Sequence, residues 1–566
     1  MMSSKVQSPT SNFQSTNPEF SPAIRQANIE RMKSETFDVL VIGGGITGAG
    51  VARDAALRGL SVALVEKDDF ASGTSSKTSR MVHGGLRYVA QLQLGVVAES
   101  CTERDKLRRL APRLVWPTPF TVPVYQGAKS SLAKFRIGLW LYDLLSRFRC
   151  YKRHRMLRPE QVIAAEPMIN PERLAGGALY YDCRTNDARL TLAVIQAAQE
   201  HGALVANHVE VRGLVKKEGK VSGAEVVDHD TGVSFTARAR VVVNATGVWS
   251  DQIRQMDDPD APKMMYPSRG SHIVLSRRQL DVRNAVTFYG ADGQRARFAL
   301  EWGDTCIVGT TDPEHAGDLD QVSASAQEVD ELLTAVNEAF SGPNLTRDDV
   351  ISTYAGVRPL VLEEGKSAYQ VSRAHKIVAS DAGLVTIAGG KLTTYRKMAE
   401  ETVDRVVAKL QAEFGVRTKQ GCQTAHFSLT NVDLKSELAG LVERYPQLDR
   451  AVLAHLALAY GPAAPTVLAF AEGDAGMGRR IVPGLPYIWA EVPYAVQHEM
   501  AITLDDLLIR RTQIIYEDRG QGLECAADVA NVMARHLGWD PAEVERQLEH
   551  YRQQVELTQA YRREAS

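Results

Sequence analysis

Phe37-Asp38-Val39-Leu40-Val41-Ile42-Gly43-Gly44-Gly45-Ile46-Thr47-Gly48 is a short apolar run that breaks into three glycines and resumes with Ile46, Ala49, Ala52 and Ala56 at helical spacing. The pattern reads as strand, tight turn, helix. Gly59 ends the helix, and Ser61-Val62-Ala63-Leu64-Val65-Glu66 completes a βαβ unit whose strands are expected to be parallel and buried. Gly43, Gly45 and Gly48 satisfy G-x-G-x-x-G between strand and helix, where glycines let the backbone approach a pyrophosphate. The helix start adds unpaired N–H groups and a favourable dipole for that anion. Glu66 stands 23 residues after Gly43, at the end of the second strand, placed to accept hydrogen bonds from ribose hydroxyls. An acid there disfavours a 2′-phosphate, so FAD or NAD is expected rather than NADP.

Two more apolar strands end in turn glycines far downstream, Val241-Val242-Val243-Asn244-Ala245-Thr246-Gly247 and Leu384-Val385-Thr386-Ile387-Ala388-Gly389-Gly390. Their distance from the first unit predicts a nucleotide domain assembled from separated segments, 35–110, 190–261 and 351–405. A mixed-sheet substrate domain fills 111–189 and 262–350, where Ser271-His272-Ile273-Val274-Leu275 and Thr305-Cys306-Ile307-Val308-Gly309 read as strands. From 425 to 566 the spacing turns helical, with Leu434, Leu438 and Leu441 early and Val544, Leu548, Tyr551 and Val555 late. The fold class expected is α/β, a Rossmann-like dinucleotide domain with an inserted sheet domain and an all-α C-terminal domain. Residues 1–34, rich in Ser, Pro and Gln, show no apolar period and are expected to form a disordered tail.

The chain has 566 residues, room for about three to four domains at roughly 150 residues each. Lys plus Arg is 66 against 68 for Asp plus Glu, a balance that gives no nucleic-acid partner. The six cysteines include no C-x-x-C pair and no zinc spacing, so reduced thiols, a cytoplasmic compartment and no metal are expected. No run approaches the roughly 18 apolar residues of a membrane span, and no secretory signal pattern is present.

The segment downstream of Glu66 separates FAD from NAD. The loop Gly73-Thr74-Ser75-Ser76-Lys77-Thr78-Ser79-Arg80-Met81-Val82-His83-Gly84-Gly85-Leu86-Arg87-Tyr88 is small-residue and hydroxyl-rich, suited to wrapping an extended flavin. Over this loop the chain resembles the FAD-dependent glycerol-3-phosphate dehydrogenase family, among flavoproteins of the D-amino-acid-oxidase-like kind. Further matches are Val243-Asn244-Ala245-Thr246-Gly247, Gly309-Thr310-Thr311-Asp312, Gly356-Val357-Arg358-Pro359-Leu360 and Gly389-Gly390-Lys391-Leu392-Thr393-Thr394-Tyr395-Arg396-Lys397. The resemblance runs from about 37 to 400 and extends into the C-terminal region at Ala490-Glu491-Val492-Pro493-Tyr494. No EF-hand loop and no C-terminal cysteine cluster is present, which fits the bacterial aerobic, quinone-linked type. Two departures are Arg80, where the family usually carries Lys, and Ala374, where an acid usually succeeds the counterpart of Arg373.

The resemblance implies FAD as cofactor, with contacts at Gly43, Gly45, Gly48, Glu66, Lys67, Thr74, Ser75, Ser76, Val209, Thr246, Gly247, Gly390, Lys391, Leu392 and Thr393. It also implies sn-glycerol 3-phosphate as substrate, with Arg87, Arg358 and Arg373 contacting it and Tyr88 beside them. Arg suits that task independently, because its planar fork donates paired charge-assisted hydrogen bonds to a phosphate. Alcohol oxidation further needs a base and positive charge near the flavin. His83, with an ordinary pKa near working pH, is the candidate base, or else a histidine bonded to flavin or backbone. Lys391 is the candidate cation.

A quinone acceptor requires bilayer contact. Residues 134–158 carry eight Lys or Arg against Asp143 alone, with Ile137, Leu141, Leu144 and Phe148 at helical spacing. That suits an interfacial helix on an anionic lipid surface, and so peripheral attachment to the cytoplasmic face of the inner membrane; a core-facing helix with a solvated basic loop is the other reading. An oxygen-using glycerol-3-phosphate oxidase and another flavin oxidase of the same superfamily stay open, as does a homodimer.

Overall fold

The computed structural model describes residues 20–127, 131–290, 295–342, 344–362, 374–430 and 432–563. Its first sheet has eight strands. Thr36–Ile42 lies at its centre, flanked by Val62–Val65 and then Leu204–Ala206 on one side, and by Ser234–Asn244 and Val385–Gly389 on the other, all parallel. The βαβ expectation is therefore met: Val39, Leu40 and Val41 are fully buried, as parallel strands covered on both faces require. The helices Ile46–Leu57, Asp187–Glu200 and Tyr395–Phe414 supply Ala52, Val194 and Val403 to one face. The other face is covered by the hairpin Val209–Lys217/Lys220–Asp228 and the helix Pro22–Ser34.

That last helix corrects the expectation of a tail over 1–34, since residues from Pro22 onward are ordered; residues 1–19 lie outside the described residues. Ser21 caps it, its hydroxyl accepting from the Ile24 N–H at 3.3 Å, and Pro22 stands in the first turn. Its inward face is Arg25, Asn28, Ile29 and Met32, two of them polar, so no apolar period is visible. Arg25 is 1% exposed and donates to Asn207 O at 3.0 Å and to the Asp228 carboxylate. Paired burial of this kind is invisible to hydropathy.

The second sheet has nine strands. Met265–Ser276 pairs antiparallel with Thr305–Gly309 and with Val350–Val361, and Val115–Tyr125 pairs with Leu174–Thr185. Val350–Val361 and Met81–Val82 therefore belong to this sheet, although the sequence pattern places 351–405 and 35–110 in the nucleotide domain. Met81–Val82 comes after the first-sheet strand Val62–Val65, and Val350–Val361 precedes the first-sheet strands His375–Ala379 and Val385–Gly389, so the chain changes sheets where no composition change marks it.

Helices dominate from Leu434 onward, with a core around Leu453, Leu456 and Val467. The later helices share a core with the second sheet, where Leu508, Val529 and Tyr551 join Phe120, Leu300 and Tyr354. Among the described residues one helical run, Arg450–Gly473, is long and apolar enough by composition to cross a membrane, and 50% of its most apolar window is buried within the protein. The predicted helix 134–158 is shorter than expected. It spans Leu132–Leu145, capped by Ser131, and Phe148 lies beyond its end. Ser146 and the buried Asp143–His154 contact at 2.8 Å turn the chain into the short strand Arg155–Leu157.

Candidate active site

A cavity of about 810 Å³ runs between the two sheets. One end is the Gly43–Gly45 turn. Gly43 has φ +110°, and a Cβ there would meet Ala245 O at 2.8 Å, so only glycine fits. A Cβ on Gly48 would sit 1.9 Å from Gly43 O, which identifies Gly48 as the packing glycine beneath the turn; it does not line the cavity. Ser75 fixes the helix start by accepting from the Ile46 N–H at 2.9 Å. Glu66 Oε2 accepts from the Gly44 N–H at 2.6 Å, and burial, reinforced by Asp68, pushes its carboxyl up to about 7.

Around this end lie Lys67, Thr74, Val209, Thr246 and Gly247. Lys67 pairs with Asp320 and sits 4.4 Å from the Trp249 ring. Thr74 Oγ1 donates to Val357 O at 2.6 Å, while the Val209 N–H donates to Glu66 O at 2.7 Å. Thr246 Oγ1 donates to Asn244 at 2.7 Å. Ser76 is buried and faces away from the cavity; its position under the loop, not its hydroxyl type, decides this.

The opposite end is cationic. The Tyr88 ring, 4% exposed, is held between Arg87 at 4.8 Å and the Lys391 ammonium at 4.1 Å. Arg87 also donates to Tyr88 OH at 3.0 Å, and Lys391 Nζ donates to Ser100 Oγ at 3.2 Å. Gly390, with φ +80°, and Leu392 line the wall beside them. Thr393 clasps the main chain of His83: its Oγ1 accepts from the His83 N–H at 3.1 Å and lies 3.3 Å from His83 O as a donor. Arg358 reaches the cavity already engaged, donating to Asp312 at 2.8 Å, Arg269 O at 2.9 Å, Thr310 Oγ1 at 2.9 Å and Thr311 O at 2.9 Å. Arg373 lies outside the described residues.

Sequence reasoning missed several lining residues. Asp182 accepts from the Gly84 N–H at 3.1 Å, Tyr142 OH at 2.8 Å and Arg104 at 2.5 Å, supporting the His83 loop from below. Its one signal is an acid within a buried strand, Tyr180-Tyr181-Asp182-Cys183. Trp249 and Ser79 also line the cavity; Trp249 carries no sequence signal, and Ser79 is one of several hydroxyls in the loop 73–88 with nothing to single it out.

The residues fit an FAD. The turn without side chains suits a pyrophosphate and the buried Glu66 suits a ribose.

Residues 38–396 match the family model "FAD dependent oxidoreductase", and 422–544 match "C-terminal domain of alpha-glycerophosphate oxidase". The glycerol-3-phosphate dehydrogenase of Synechocystis sp. is 37% identical over 546 residues, covering 94% of this chain and 98% of that one. The aerobic glycerol-3-phosphate dehydrogenase of Staphylococcus saprophyticus is 37% identical over 524 residues, covering 91% and 93%. The crystal structure of the Bacillus halodurans glycerol-3-phosphate dehydrogenase complexed with FAD superposes with TM-score 0.81 at 31% identity, over 97% of this chain and 100% of that one. With both regions matched and near-full coverage, this chain belongs to the FAD-dependent glycerol-3-phosphate dehydrogenase family.

Proposed function

We propose that the protein oxidises sn-glycerol 3-phosphate to dihydroxyacetone phosphate and passes the electrons to a membrane quinone. One observation carries the first half: a single cavity joins a dinucleotide turn to a cluster of Arg87, Lys391 and Arg358 around His83 and Tyr88. FAD supplies the hydride acceptor. Arg87, stacked on Tyr88 at the cavity wall, is the phosphate-binding cation, because its planar fork is held in place for paired donation to an anion. Arg358 holds the Thr310–Asp312 loop in shape and adds positive charge at the same wall; for Arg373, outside the described residues, the proposed role is a further substrate contact that the family resemblance implies. Lys391, anchored by Ser100, stabilises negative charge that develops beside it. His83, whose backbone Thr393 fixes, takes the C2 hydroxyl proton at an imidazole nitrogen.

Quinone use is supported by the mouth of the cavity. Leu92, Lys134, Phe135 and Ile137 line it, and Leu92 and Ile137 are 80% and 68% exposed. Trp140, Leu144, Phe148 and Tyr151 extend the apolar surface, and Arg147, Arg149, Lys152 and Arg153 border it in sequence. Such a surface suits peripheral binding to anionic lipid on the cytoplasmic face of the inner membrane, with a lipid-soluble acceptor entering beside it.

Anaerobic mixing with sn-glycerol 3-phosphate, glycerol or glycine tests the reading. Bleaching of the flavin by the phosphate ester alone is expected; bleaching by glycine instead would overturn it. Reoxidation faster with a quinone in liposomes than with oxygen is expected, and the reverse would mark an oxidase.

A further inference from the structure

His272 lies inside the second sheet, 3% exposed. Its ring stacks on Tyr354, with centroids 4.6 Å apart and 12° between planes. It packs so tightly on Gly309 that a Cβ there would come within 2.1 Å of the ring Cδ2. Burial, with the guanidinium groups of Arg358 and Arg80 nearby, pulls its pKa down to about 3, so the ring is neutral at working pH.

A neutral imidazole has one N–H and one bare nitrogen. Nε2 lies 2.8 Å from Ser79 Oγ, whereas Nδ1 is buried with no hydrogen-bond partner among the described residues. An orphaned buried donor is the costlier of the two arrangements, so the proton resides on Nε2 and is donated to Ser79. Ser79 then accepts on its inner side, and its own hydroxyl hydrogen is left for the cavity that Ser79 lines. The segment cannot easily swing away. Thr78 O accepts from Tyr354 OH at 3.1 Å, while Thr78 N and Oγ1 donate to Asp187 at 3.0 and 2.7 Å.

Ser79 stands midway along a loop whose Gly73–Ser75 end meets the pyrophosphate turn and whose His83–Tyr88 end meets the cationic cluster. A dinucleotide bound at the first end would extend along this loop toward the cationic cluster, and its flavin ring would then lie within reach of Ser79. We propose that Ser79 is a hydrogen-bond donor to the flavin ring and that His272 is the positioning residue that keeps it a donor. The proposal rests on the assignment of the cavity to FAD. A donor to the ring favours the reduced, more electron-rich form over the oxidised one, so the pair raises the flavin's reduction potential.

The test is the two-electron midpoint potential and visible spectrum of flavin-loaded Ser79→Ala, His272→Leu, the double variant and His272→Gln. Ser79→Ala is expected to shift the reduced-to-oxidised equilibrium about tenfold toward oxidised, about 30 mV more negative for two electrons. His272→Leu and the double variant should give the same shift, and His272→Gln, whose amide still donates, should recover most of it. Ser79→Ala at wild-type potential overturns the proposal, and it decides alone if His272→Leu does not fold. A rise in substrate KM with an unmoved potential also overturns it, placing the hydroxyl on the substrate. Wild-type protein that retains no FAD would instead overturn the cofactor assignment, and this proposal with it.

Discussion

Gly48→Ala should strip the protein of FAD while leaving it folded. The added Cβ would lie 1.9 Å from Gly43 O. Ordinary contact begins at about 3.5 Å, so the carbonyl must retreat by roughly 1.6 Å. Gly43 has little room to absorb that movement, because it already has φ +110° and the Ala245 carbonyl oxygen lies 2.8 Å from where a Cβ would stand. The turn must therefore move, and with it the helix start whose remaining N–H groups would meet a pyrophosphate. Hydrogen bonds to charged groups contribute about 1.5–3 kcal/mol each, so misplacing two costs about 3–6 kcal/mol. That corresponds to a loss of FAD affinity of roughly 10² to 10⁴. The assay is titration of FAD into apoprotein, followed by flavin fluorescence, with thermal unfolding of the apoprotein as the folding control. Gly95→Ala, at a helical position with nothing within 4 Å of the new Cβ, should bind FAD as the wild type does. Wild-type FAD affinity in Gly48→Ala would refute the reasoning.

Arg87→Ala removes one of the two cations flanking Tyr88 and should raise the KM for sn-glycerol 3-phosphate about 10- to 100-fold, the range for a charged hydrogen bond; steady-state kinetics with normal KM would remove it from the site. FAD affinity should depend on pH through Glu66, whose carboxyl is raised to about 7 in the free protein. Ribose hydroxyls donate to the ionised form, so binding should weaken as pH falls below about 7 and level off above it, and Glu66→Gln should flatten the profile. Trp140→Glu combined with Leu144→Glu, both at exposed positions outside the cavity lining, should abolish sedimentation with anionic vesicles without changing activity toward a soluble dye acceptor; vesicle binding at wild-type levels would place the lipid contact elsewhere.

Much of the site was legible because its residues sit in short, contiguous motifs. The loop 73–88, the turn at 389–393 and the glycines Gly43 and Gly45 supply lining residues of the same cavity, with Gly48 packed beneath the turn. Arg358 was legible as a cavity residue, but its engagement with Asp312 and the Thr310–Thr311 backbone was not, since those partners lie more than forty residues away. Asp182 offered only the signal of an acid within a buried strand and His272 none, because each acts through backbone or hydroxyl groups that only the fold brings near.

By itself the sequence determined the central βαβ unit, the separated return of its neighbouring strands, the helical C-terminal region and the cofactor class. These follow from local patterning and from glycines whose backbone geometry excludes side chains. Only the tertiary structure decided which sheet takes Met81–Val82 and Val350–Val361, and that Pro22–Ser34 is a packed helix on Arg25 and Asn28. It also decided that the Leu132–Leu145 helix leaves Ile137 and Trp140 exposed beside the cavity mouth. The physical reason is common to all of these: burial of a polar group or exposure of an apolar one depends on distant partners, which local periodicity does not encode.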